Sequence, residues 1–238
     1  MPTLTIADIA IEVIRKDIKN IHLAVYPPNG RVRLAAPLET DEEAIRMFVI
    51  SRLPWIRRNQ RKFGRQERHP PRQYKNRESH YLWGRRYLLN VVEHDGSAKV
   101  VPRSKTYIDL FVRPGTGTEK RHGIMTEWYR GQIKKLVPGY IKKWEERMGV
   151  TVREWQVRTM KTKWGSCNPD TGRILINLEL VKKPEHLLEY IIVHEMVHLL
   201  ERRHNERFRQ ILSEHMPNWK KLRSELNSLP VGHSEWEV

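Results

Sequence analysis

Tyr190-Ile191-Ile192-Val193-His194-Glu195-Met196-Val197-His198-Leu199-Leu200 is the stretch on which the reading of this chain turns. Apart from His194, Glu195 and His198 the run is apolar, and a helix that is apolar all round belongs inside a core. A carboxylate placed there without a partner costs several kcal/mol. Core packing does not explain those three polar residues, whereas a metal site does. Four-residue spacing puts the two imidazoles on one helical face, one turn apart. Glu195 is next to His194 on the helix and can reach a metal-bound water without itself being a ligand. The expectation is one zinc ion per chain, with His194 and His198 as ligands and Glu195 as the catalytic base.

The spacing predicts a helix over Glu185–Leu200, opened by Pro184, a residue suited to a first helical turn. A second helix is predicted from near Asn205, with Phe208, Ile211 and Leu212 on its apolar side. Between them lies His204, which can fold back as a third ligand if Glu201 to Arg203 make the turn. Glu201, Glu206 or Glu214 would give a site of two histidines and one carboxylate instead.

Upstream of the motif the alternation predicts a strand over Val152–Met160, a turn through Asn168-Pro169-Asp170-Thr171-Gly172, and a strand over Arg173–Leu178. Trp164-Gly165-Ser166 reads as a tight passage between two strands, where backbone approaches a ligand or another segment closely. Cys167 is the only cysteine. It allows no internal disulfide and no Cys-x-x-Cys zinc ribbon, and it reads as a small buried residue. Thr118–Met148 is amphipathic, is interrupted by Pro138-Gly139 and stops at Gly149, which predicts one kinked helix or two.

Further upstream, residues 3 to 38 alternate as a small antiparallel sheet, and Tyr81–Val92, Ala98–Val101 and Tyr107–Val112 read as a meander extending it. Between these stretches, Thr40 or Asp41 can cap a helix with Glu42 and Glu43 in its first turn, and Pro54 is placed to bend it. From Arg57 to Arg77 there are nine Lys or Arg residues against one acid, Glu67, around Pro70-Pro71. That stretch reads as an exposed basic connector. No internal repeat is visible.

Composition agrees with a globular protein: 39% hydrophobic and 30% charged residues in 238. No run has the roughly 18 consecutive apolar residues of a membrane span, and the first residues lack the apolar core of a signal peptide. A cytoplasmic protein is expected, with no membrane partner. The formal net charge of +16 favours polyanionic partners without choosing among them.

Four blocks together resemble the YgjP-like metallopeptidase family, relatives of SprT-like and other minimal zincin domains. These are Met160-Lys161-Thr162-Lys163-Trp164-Gly165-Ser166-Cys167, then Ile174 to Asn177, Tyr190 to His198, and His204-Asn205-Glu206-Arg207-Phe208. The resemblance is close from Arg153 to Leu226. It implies zinc on His194, His198 and His204, and Asn205 stands where the family usually has Ser. Taken with the strand and helix pattern, the expectation is an α+β chain. An N-terminal β-rich region with helices would occupy residues 1–115, its basic helix and connector at about 41–77. A minimal zincin-like domain, with a short sheet and the H-E-x-x-H helix, would occupy 116–238.

Three functional readings follow. The first is a metallopeptidase whose peptide substrate pairs with the strand Arg173–Leu178 if that strand is a sheet edge. The second, also proposed within the resembled family, is hydrolysis of a nucleoside triphosphate, with Lys161, Lys163 and Arg158 on its phosphates. The third is a nucleic-acid-binding module with a structural zinc, contacting nucleic acid through Arg57–Arg77. Candidate substrate contacts are Lys161, Lys163, Trp164, Gly165, Ser166 and Asn177.

Overall fold

Residues 3–26, 29–65, 72–160 and 163–229 are described by a computed structural model of the chain. It divides into two compact units, whose described parts are 3–65 and 72–229. In the first, alternate residues of β2 (Ile9–Lys16) and β4 (Arg31–Pro37) turn inward: Ile9, Ile11 and Val13 on one, Val32, Leu34 and Ala36 on the other. This is the two-residue period of a half-buried strand. With β1 (Thr3–Ile6) and β3 (His22–Tyr26) they form a sheet of order β1-β2-β4-β3. The outer pairs are antiparallel and the central β2–β4 pair is parallel, so the sheet is mixed where an antiparallel one was expected. The β3–β4 hairpin returns β4 between β2 and β3, a pairing that alternation alone does not specify. Helix α1 (Glu42–Arg65) covers the sheet with Ile45, Val49 and Ile56. Asp41 caps it, its Oδ1 accepting from Ala44 N at 2.5 Å, and the helix runs on through Pro54. The expected basic connector therefore begins as helix at Arg57. Its Pro70-Pro71 break lies outside the described residues.

The second unit opens on β5 (Ser79–Leu82), β6 (Arg85–Glu93), β7 (Lys99–Pro102) and β8 (Tyr107–Val112), ordered β5-β6-β8-β7. This is not the expected meander, since its central β6–β8 pair is parallel, and it is a sheet of its own that does not extend the first. Its pairings repeat those of the first sheet: antiparallel, parallel, antiparallel, then a long helix. The repeat lies in the strand connections and not in the side chains, so sequence inspection passes over it. Leu89, Ile108, Leu110 and Val112 share a core with Met125, Tyr129 and Ile133 of the following helix α2 (Thr118–Met148). The division expected at 115/116 thus falls inside this unit. Helix α2 is a single helix through Pro138, and Gly149 ends it at φ 64°, its N–H on Glu145 O at 2.9 Å.

The remaining strands are β9 (Glu154–Arg158), β10 (Gly165–Asn168) and β11 (Arg173–Asn177), in the order β10-β11-β9. Strand β10 went unread in the sequence because Gly-Ser-Cys-Asn has little β-propensity. It pairs antiparallel with β11 across the expected Asn168–Gly172 turn. After a 3₁₀ turn over Leu178–Lys182 come α3 (Glu185–Val197), α4 (Glu206–His215) and α5 (Trp219–Ser228), the last unanticipated. The start of α3 is fixed from the β5–β6 hairpin: Trp83 N donates to Val181 O at 2.8 Å. Gly84, at φ 78°, lies so close that a Cβ there would be 2.9 Å from Pro184 Cγ.

One buried polar knot joins the second sheet to α2. His80 is 3% exposed, with Tyr129 Oη 3.3 Å from Nδ1 and Glu78 Oε2 3.2 Å from Nε2. Burial, and then the positive charge of Arg72, lower its pKa to about 4. An unfolded chain, with its histidine near 6.5, therefore binds the proton that the native state refuses, so this contribution to stability is lost as pH falls from about 6.5 towards 4. Replacing His80 by Gln, which cannot take up that proton, should make the acid limb of a Tm-against-pH curve shallower than in the parent protein. Parallel curves would remove His80 from the acid response.

Candidate metal centre

Helix α3 supplies two of the three histidines. It is buried all round, with Leu187, Leu188, Ile191, Ile192, Val193, Met196 and Val197 in the core. It therefore presents His194 and His198 from a fixed scaffold. It ends at Val197, earlier than expected, with His198 as its C-cap. The chain then turns through residues 199–203, and Asn205 caps α4 by accepting from Phe208 N at 3.0 Å. This brings His204 back over α3. His194 Nε2 lies 3.0 Å and His198 Nε2 3.1 Å from His204 Nε2. Phe208 backs the group, its ring centre 5.0, 4.7 and 4.7 Å from those of His194, His198 and His204. Among the described residues these three form the one cluster with metal-ligand character, their donor atoms all within 4.8 Å of one another.

The donor set fits zinc. Nitrogens on a tetrahedral zinc at about 2.0 to 2.1 Å are about 3.3 Å apart, close to the separations found. The Nδ1 of His198 lies 3.1 Å from Glu201 O, an acceptor only, so Nδ1 carries the proton and the Nε2 lone pair points inward. His194 Nδ1 is buried with no partner among the described residues. Burial, then the charges of His198, His204 and Arg223, depress the His194 pKa to about 3, so it is a neutral imidazole, the form that binds metal. Of the carboxylates considered as third ligands, Glu201 accepts from Arg203 N at 3.1 Å, Glu206 pairs with Arg209 and Glu214 accepts from Gln210. None joins the histidines.

Glu195 is 5% exposed. Burial raises its pKa to about 8, against the pull of Lys163. A cation at the histidines would return it towards the carboxylate. It fits because residue 165 is glycine. A Cβ at Gly165 would lie 2.5 Å from Glu195 Oε1 and 2.7 Å from Cγ. The small-residue passage read at Trp164-Gly165-Ser166 is thus where backbone meets the acid side chain.

Asn177 holds that passage. Its Nδ2 donates to Met160 O at 2.9 Å and Lys163 O at 2.7 Å, while its Oδ1 accepts from Glu179 N at 3.1 Å and Met160 N at 3.4 Å. With both N–H donors used and the one carbonyl oxygen accepting twice, it braces the segment before β10. Lys163 is exposed at the start of that segment, and Trp164 is half-buried with Lys183 Nζ 5.8 Å from its ring centre. Ser166 is half-buried on β10. Cys167 follows it, its thiol pushed up to about 12 by burial and then by Glu195, so it stays protonated and inert. Arg158 is on β9, beyond the central β11, with its guanidinium on Gln156 Oε1. Lys161 lies outside the described residues.

Removing His204 should weaken zinc binding by more than the roughly 10- to 100-fold cost of outer-shell changes. Competition with a chromophoric chelator on the His204→Ala protein measures it. Undiminished affinity would pass the third position to a carboxylate such as Glu201.

Comparison with known proteins places the chain at the level of family. The family model described as YgjP-like, metallopeptidase domain, matches residues 19–229. No curated protein matches the chain. Among solved structures, the metallopeptidase zymogen jannalysin of Methanocaldococcus jannaschii is 22% identical over 40% of this chain and 92% of its own, with a TM-score of 0.33. On the family match, which spans both units, the chain belongs to the YgjP-like metallopeptidases, a family of metal-dependent peptidases.

Proposed function

We propose that this protein is a zinc peptidase in which His194, His198 and His204 hold one zinc ion and Glu195 is the general base. The observation that carries the reading is the pairing of an open three-histidine cluster with a desolvated carboxyl group that is not part of it. Structural zinc sites close with four protein ligands, whereas catalytic ones keep a position open. Zinc bound there supplies a Lewis acid that acidifies water and polarises a carbonyl group. The chain's own residues do the rest. Glu195 accepts a proton at its carboxylate and returns it to the leaving amine. Gly165 and the braced segment before β10 keep that carboxylate in one place.

The substrate is a polypeptide in extended form. Strand β11, expected as the receiving edge, is central, flanked by β10 and β9. The edge beside the centre is β10, whose Gly165 abuts Glu195. A peptide that pairs its backbone with β10 passes the general base, and its side chains alternate towards and away from the sheet. Hydrolysis of nucleoside triphosphates has less support, because Arg158 is two strands away from β10. The basic stretch from Arg57 stays a proposed surface for polyanions, separate from this chemistry.

Two variants test the reading. Glu195→Gln keeps the shape of the side chain but cannot take the proton. It should retain one zinc per chain and lose peptide hydrolysis by about 100-fold or more. Turnover equal to the parent protein would take Glu195 out of the reaction. Gly165→Ala should also keep zinc yet depress kcat by about 10-fold or more, since a misplaced catalytic group costs orders of magnitude. Normal kcat in that variant would show that the carboxylate does not need the glycine.

A further inference from the structure

Two cations lie near enough to the metal centre to act on its residues, on different elements, and the proposed reaction uses neither. Lys163 comes from the segment before β10, its main chain pinned by Asn177 two residues ahead of the glycine that abuts Glu195. Its side chain is exposed. Arg223 comes from α5. That helix starts beside the end of α4, where Trp219 Nε1 donates to Ser213 Oγ at 2.9 Å. It reaches the first turn of α3, where Glu225 Oε1 is 2.9 Å from His186 Nε2. His186, Tyr190 and His194 follow one another at four-residue steps along α3, so the middle of α5 lies beside Tyr190 and His194. Leu222 and Leu226 are buried in the same core as Val193 and Val197, and Arg223 stays exposed. Its charge acts on Tyr190, His194 and His204, and that of Lys163 on Glu195 and His198. No described carboxylate lies within ion-pairing distance of either. Both are therefore free to meet charge brought by a ligand.

We infer that the site selects acidic polypeptides, with Lys163 and Arg223 as specificity-determining residues that receive carboxylates on either side of the bond to be cut. The inference rests on the peptidase reading above. A cationic residue in an open cleft attracts carboxylates before any chemistry occurs, so the benefit appears in KM and in salt dependence, not in kcat. An uncompensated pair of cations beside a divalent metal also disfavours Lys- and Arg-rich segments, which gives the discrimination a repulsive half.

The test uses the zinc-loaded full chain and three fluorogenic peptides of one length, with Asp and Glu, Asn and Gln, or Lys flanking a common scissile pair. All are acetylated and amidated, so that only side chains carry charge. A fourth, neutral peptide with a free C-terminus separates side-chain from terminal carboxylates. The acidic peptide should have the highest kcat/KM. Each of Arg223→Gln and Lys163→Gln should lower that value about fivefold through KM, the scale of one exposed charge pair, with zinc content unchanged. Arg223→Lys should keep the preference and Arg223→Glu should turn it towards the Lys peptide, which a structural role for Arg223 would not do. Anisotropy with labelled peptides on the zinc-loaded Glu195→Gln protein reads the same order as affinity, without turnover. Cleavage of all peptides at equal rates, a preference untouched by these substitutions, or selection of the free C-terminus alone would overturn the inference and leave the peptidase reading standing. Cleavage of none by zinc-replete protein would overturn both.

Discussion

The carboxyl group of Glu195, 5% exposed on an apolar helix, is stabilised in its charged form only by what lies beside it. Burial drives it towards the protonated acid, raising its pKa to about 8. Helix α3 is so fully packed that it cannot rotate the residue into solvent without exposing Ile191, Ile192 or Val193. The cation proposed at His194, His198 and His204 would supply the stabilising charge. The same packing that makes the carboxyl group costly makes its position exact to within little freedom, which is what proton transfer needs.

The surrounding structure can be understood as support for this one residue. Gly165 gives it room, and Asn177 fixes the approach to Gly165 by engaging every hydrogen-bonding position of its side chain with backbone. The turn after α3 and the Asn205 cap bring His204 over the pair, and Phe208 fills the space behind all three rings. The β5–β6 hairpin locks the start of α3 through Val181 and Pro184. The second sheet and α2 are therefore part of the unit that carries the centre, and residues 116–238 alone would lack that sheet.

Much of this was legible in the sequence. Polar residues at a four-residue step in an apolar run point to a metal helix, and in the structure His194, His198 and His204 do lie together. Gly149, Thr40 or Asp41, and Asn205 read as helix boundaries from chemistry that is local, and local chemistry survives into the fold, with Asp41 as the cap of α1. What could not be read depends on strand partners. The parallel β2–β4, β6–β8 and β9–β11 pairs leave no mark in the alternation of their strands. Strand β10 is too short and too polar to register, and with it went the sheet edge and the contact of Gly165 with Glu195. Asn177 reads in the sequence as a candidate substrate contact, and the structure adds what the sequence does not show, that its side chain braces backbone. Arg223 had no signal at all, since its neighbours His194 and Tyr190 are supplied by a helix 29 or more residues away in sequence.

The central claim is that three imidazoles hold a metal whose remaining position is open to water and substrate. X-ray absorption at the zinc K edge of the zinc-loaded protein in solution tests it without reliance on any substrate. The account predicts three histidine nitrogens and one further light scatterer that is exchanged when a small anion such as azide is added, with no sulfur. A sulfur ligand, a fourth fixed protein ligand insensitive to added anion, or fewer than three imidazoles would contradict it.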